Sequence, residues 1–159
     1  MQIINYAVIK TERRIYQMTR REAREIVLTF LYEKSYRRDE TELWIYENSL
    51  SLRELSDNEY IKNTYFGVWD NLSFIDGKIA GAALEWTPER MSRVTLSIMR
   101  LCVYELYFDE VIPVSVSLNE AIELAKIYGE ETAPAFINGI LNNISKDPEI
   151  IKPEIPRKK

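Results

Sequence analysis

The sequence predicts an all-α domain of six or seven helices. Three observations carry this. Apolar residues recur at helical spacing in segment after segment, no apolar run between them has the length of a βαβ strand, and only five glycines and six prolines occur in 159 residues. So few turn formers do not suit a sandwich or a barrel.

The first helix is expected over about residues 21–36. Ala23, Ile26, Val27, Phe30 and Leu31 form one buried stripe, and Thr19 with Glu22 reads as a capping box. A second helix is expected from about Glu40 to Leu50, and a third, capped at Ser56 or Asp57, carries Tyr60, Ile61, Tyr65, Val68 and Trp69. Helix restarts near Asn71 and is expected to end close to Trp86, with Pro88 opening the next turn. MSRVTLSIMRLCVYELYF has the strongest periodicity and predicts a central helix buried on several faces. Ser117 and Glu120 read as a second capping box, with Gly129 as the glycine that ends that helix. A last helix near Ala133–Ser145 buries Phe136, Ile137, Ile140, Leu141 and Ile144.

Residues 1–18 are expected to form a separate N-terminal extension around Ile3, Ile4, Tyr6, Val8 and Ile9, with Met18 as an alternative start. Residues 19–147 are read as the helical domain and 148–159 as an irregular basic tail.

Composition narrows the function. With no histidine and one cysteine, Cys102, neither a zinc site nor a histidine-based triad is expected, and no P-loop or GxGxxG motif occurs. We expect no enzyme, no cofactor and no metal. No stretch is apolar enough to span a membrane, and MQIINYAVIKTERR does not read as a signal peptide, so the cytoplasm is the expected compartment. Glu105 interrupts an apolar helix and needs a partner, with Arg100 or Arg24 as candidates.

The formal net charge is −4, yet its distribution is uneven. Lys10–Arg24 holds six basic and two acidic residues, whereas Asp39–Tyr60 holds seven acidic residues and one arginine. Arginines at a helix start, beside an N-cap and free backbone donors, suit phosphate, and Tyr16, Tyr32, Tyr36 and Tyr128 offer stacking surfaces for unpaired bases. A solvated charged face explains the same charges without a ligand.

RREAREIVLTFLYE, MRLCVYELYFDEVIPVSVSLNEAIELAKIYG and AFINGILNNI, in that order and spacing, resemble the NusB family of transcription antitermination factors, over about Arg20–Lys146. The resemblance implies two helical subbundles without enzymatic activity. It implies binding of boxA-type single-stranded RNA jointly with a small ribosomal protein, and through that complex an indirect link to RNA polymerase during ribosomal RNA synthesis. Carried over by position, it implies RNA contacts at Arg20, Arg21, Arg24, Tyr32 and Phe136, to which Lys126 adds a basic candidate. It puts the protein partner at Thr95 and Thr132, and gives Asn138 and Gly139 structural roles alongside Glu105. Phe136 keeps both readings, core stripe and RNA edge. The chain departs from the family pattern at Glu22, Ala135, Thr95 and Asn142. A divergent helical interaction or dimerisation module with little RNA binding is the alternative. Three tryptophans and ten tyrosines supply interface material for a homodimer.

Overall fold

The computed structural model describes residues 17–152, and the expectations for residues 1–16 and 153–159, including Lys10, Arg13 and Arg14, lie outside the described residues. Seven α-helices follow in order among the described residues: α1 Arg20–Tyr36, α2 Glu42–Leu52, α3 Glu59–Asp70, α4 Leu72–Ala82, α5 Arg93–Phe108, α6 Val114–Tyr128 and α7 Ala133–Ile144. A 3-10 turn, Pro88–Arg90, joins α4 to α5.

The capping box at Thr19 is present. Glu22 N–H donates to Thr19 Oγ1 at 3.2 Å, and Thr19 N–H donates to Glu22 Oε2 at 2.7 Å. Thr41, Asn58 and Ser92 cap α2, α3 and α5 through their side-chain oxygens. Asn58 thus replaces the expected Ser56 or Asp57, and Asp57 instead accepts the Tyr46 hydroxyl. Helix α4 stops at Ala83, short of Trp86, because Leu84 takes a left-handed φ of 52° that no helix continues through.

The expected capping box at Ser117 is a correction. Helix α6 begins at Val114, one turn earlier, with Pro113 at the N-cap position. Ser117 is therefore interior to the helix and buried, and its hydroxyl serves α5 instead. Gly129 does end α6, but with an extended backbone, φ −88° and ψ 172°. Its glycine is required by proximity: a Cβ would lie 2.7 Å from the Ala125 carbonyl oxygen and 2.8 Å from Ala133 Cβ.

Helix α5 is the axis. Leu96, Ile98, Met99, Leu101, Cys102, Val103 and Leu106 are all buried, which covers every side of the helix. Helices α1, α2 and α3 pack together on one side of it, and α4, α6 and α7 on the other, so two subbundles share α5. Cys102 is fully enclosed, and burial pushes its thiol up, which suits a packing role.

Behind α7 the described part of the tail is docked rather than loose. Lys78 Nζ donates to Asp147 Oδ2 at 2.7 Å and to Glu149 Oε2 at 2.9 Å, and Tyr107 OH donates to Asp147 Oδ2. The hydrogen bond from Lys78, then that from Tyr107, lowers the Asp147 pKa to about 2. A depressed carboxylate contributes stability that is complete above its unfolded pKa of roughly 4 and is lost as pH falls toward the folded value. Acid unfolding of Asp147→Asn, followed by circular dichroism, is therefore expected to depend less on pH between about 4 and 2 than that of the wild type.

Candidate nucleic-acid and partner interface

The arginine-rich start of α1 divides by burial. Arg20 is exposed, and its guanidinium lies 4.1 Å from the Tyr60 ring centroid. Arg21 is exposed but forks onto Glu120 of α6, at 3.1 Å from Nε to Oε2 and 2.8 Å from Nη2 to Oε1. Arg24 is only 3% exposed. The placement of Arg24 as a phosphate contact is thereby corrected: three residues on from Arg21, its side chain turns inward to the centre of the bundle.

There Arg24 meets Glu105. Arg24 Nε donates to Glu105 Oε1 at 2.8 Å and Nη2 to Oε2 at 3.4 Å. Tyr60 OH donates to Oε1 at 2.5 Å and Ser117 Oγ to Oε2 at 2.6 Å. One carboxylate thus receives donors from α1, α3 and α6, which satisfies a charge that is otherwise costly to bury. Burial, then the Glu105 charge, pushes the Tyr60 hydroxyl far above its ordinary pKa, so it stays a donor at all physiological pH. Arg100, the other candidate partner, is instead forked onto Asp76 at 2.8 Å through each nitrogen.

The remaining sequence-named residues fall into two groups. Lys126 is exposed and paired with Glu123 at 3.0 Å. Asn138 is exposed and accepts the Asn142 side-chain amide on both its backbone oxygen, at 2.9 Å, and its Oδ1, at 2.6 Å. Gly139 is exposed, and nothing lies within 4 Å of where its Cβ would be. A structural role for Gly139 in letting helices approach closely is not met; among the described residues that role falls to Gly67 of α3, where a Cβ would run into the Tyr104 ring of α5.

Phe136, Thr95 and Thr132 come together. They line one cavity of about 500 Å³ with Trp86, Arg90, Met91, Ser92, Glu130 and Ala133. Phe136 packs part of its ring against the core and sets the rest edge-on to Trp86, with centroids 5.6 Å apart. This geometry accommodates both readings of Phe136. Thr95 is 7% exposed, so it forms the cavity wall rather than a protruding contact. Tyr32 stands elsewhere, half-buried on α1, with its ring edge-on to Tyr36 at 4.9 Å and its hydroxyl donating to Tyr36 OH at 3.1 Å. Arg20 lines a different groove, with Tyr60, Tyr104 and Phe108. The arginine end of α1 and Phe136 therefore do not share a pocket.

The NusB family model matches residues 21–146. The chain belongs to the NusB family. It is 41% identical over 141 residues to a transcription antitermination protein NusB of Clostridium botulinum, covering 80% of this chain and 99% of that protein. A namesake from Ruminiclostridium cellulolyticum is 39% identical over 133 residues, covering 81% and 90%. Among solved structures, T. maritima NusB superposes with a TM-score of 0.77 at 37% identity, covering 82% of this chain and 93% of that one. A chain from a complex of antitermination factors NusB and NusE with double-stranded RNA superposes with a TM-score of 0.71 at 25% identity, covering 80% and 96%.

Sequence reasoning missed Trp86, Arg90 and Ser92 as cavity residues. Helical spacing runs on to Trp86 in the sequence, because nothing there marks Leu84 as left-handed. Among the described residues no helix is long and apolar enough to cross a membrane, and no cluster of three or more histidine, cysteine or carboxylate side chains is placed to hold a metal ion.

Proposed function

We propose that this chain acts in transcription antitermination as a binding protein, without a catalytic step, within the cytoplasmic transcription machinery. Its helical body, residues 19–147, takes boxA-type single-stranded RNA together with a small ribosomal protein, and through that complex reaches RNA polymerase.

The observation that carries this reading is the convergence of Phe136, Thr95 and Thr132 on one cavity. The family resemblance gives Phe136 to RNA and the two threonines to the protein partner. A shared cavity supports joint rather than independent binding. The complex of NusB and NusE with RNA among the structural relatives supports the same pairing. Phosphate contact falls to Arg20 and Arg21. Arg21 must exchange Glu120 for phosphate, and Glu22 is already spent on the Thr19 backbone. Tyr32 offers an aromatic face, and Lys126 contributes once released from Glu123.

The test is Phe136→Ala in an anisotropy titration against labelled boxA-type RNA. Loss of one base stack is expected to weaken binding by about 5- to 150-fold, corresponding to roughly 1–3 kcal/mol, with helicity retained. Binding equal to the wild type contradicts the assignment of Phe136.

A further inference from the structure

We propose that the RNA surface extends beyond the Phe136 cavity onto a cationic strip formed by Arg38, Arg90 and Arg93, with Tyr36 and Trp86 as its exposed aromatic platforms. This rests on the RNA-binding reading above and names further residues that take the strand.

The argument begins from which cations are available. Of the nine arginines among the described residues, Arg21, Arg24, Arg37, Arg53 and Arg100 are held in ion pairs. The four with no acidic partner among the described residues are Arg20, Arg38, Arg90 and Arg93, and three of these gather on one side of the molecule. Arg38 and Arg93 line a cleft of about 370 Å³ between the end of α1, Trp69 of α3 and the start of α5. Arg90 lines the Phe136 cavity, and Met91 lines both, so the two hollows adjoin. In a chain of net charge −4, such a grouping is a local exception.

Neighbouring charges do not cancel it. Asp76 in the cleft is occupied by the Arg100 fork, and Lys34 lies 3.6 Å from Glu42. Glu89 also lines the cleft, hydrogen-bonded to its own backbone and to Thr87, yet Lys34, Arg38, Arg93 and Arg100 outnumber the carboxylates of Asp76 and Glu89 there. Glu130 lines the adjoining cavity.

Aromatic placement selects a nucleic-acid strand as the occupant. The Arg93 guanidinium lies 3.9 Å from the centroid of the Tyr36 ring, which is itself edge-on to Tyr32. Tyr36 is 58% exposed and Trp86 is 50% exposed. Arg93 covers one face of Tyr36, and guanidinium groups without a carboxylate partner set beside half-exposed rings match the alternation of phosphates and unstacked bases along a single strand.

The experiment measures anisotropy of a labelled boxA-type RNA, and of a scrambled RNA of equal length, across a salt series. The proteins are wild type, Arg38→Gln/Arg93→Gln and Arg38→Gln/Arg90→Gln. The last pair avoids the Arg93–Tyr36 stack and so guards against a packing defect. Each double variant is expected to flatten the log–log salt slope by about 1.4, from two phosphates at roughly 0.7 each. Arg38→Lys/Arg93→Lys is expected to restore it. An unchanged slope in both glutamine variants, with the wild type still preferring boxA, overturns the strip and leaves the function reading intact. Loss of binding to the small ribosomal protein at unchanged RNA slope also overturns it, by giving the surface to an acidic protein. Equal, weak binding of both RNAs by the wild type sinks the RNA reading itself, and the strip with it.

Discussion

Replacing Glu105 with leucine is expected to lower the unfolding free energy by about 3–5 kcal/mol in urea denaturation. The carboxylate is wholly buried and carries the Arg24 fork, the Tyr60 hydroxyl and the Ser117 hydroxyl. Removing it leaves a guanidinium enclosed in the bundle, with Glu120 at 3.8 Å as the nearest remaining charge. The loss is mainly the cost of that orphaned cation, not the net worth of the pair. Arg24→Met/Glu105→Leu is therefore expected to be more stable than Glu105→Leu alone, because it removes both charges together. A double variant less stable than the single one would mean that the network adds stability beyond neutralising Arg24.

The second large effect is expected at Phe30. This side chain is fully buried on α1, with Tyr46 and Tyr65 edge-on at 5.9 and 6.0 Å. Tyr46 and Tyr65 stack on each other at 5.7 Å, and Phe66 closes the group. The cluster ties α1, α2 and α3 into the first subbundle. Phe30→Ala empties its centre, and the rings around it have limited room to collapse, so a loss of about 3–5 kcal/mol is expected in urea denaturation. A loss below about 1 kcal/mol would mean that the subbundle repacks around the gap.

Helix count, the Thr19 cap and the many-sided burial of α5 were legible because each is written in local spacing. Periodicity in RREAREIVLTFLYE names the same face that the fold buries. What the sequence could not resolve is long-range. Arg20, Arg21 and Arg24 look alike in a string, yet their fates are set by Tyr60, Glu120 and Glu105 on other helices. Ser117 and Glu120 satisfy the capping-box pattern, but Pro113 starts the helix one turn earlier and both side chains go to tertiary partners. Gly139 and Gly67, both inside helices, likewise differ in what packs against them. At the candidate site, Thr95, Thr132 and Phe136 were named through family likeness, while Trp86 and the unpaired arginines emerge only once ion pairs are assigned in three dimensions.

The most direct test of the central claim is a titration of the wild-type chain into labelled boxA-type RNA, with scrambled RNA in parallel, each with and without the small ribosomal protein. The account predicts preference for boxA that sharpens when the partner is added, because RNA and partner meet at the cavity of Phe136, Thr95 and Thr132. Equal weak binding to both RNAs, unmoved by a partner that still associates, would contradict it and leave a helical protein-binding module in its place.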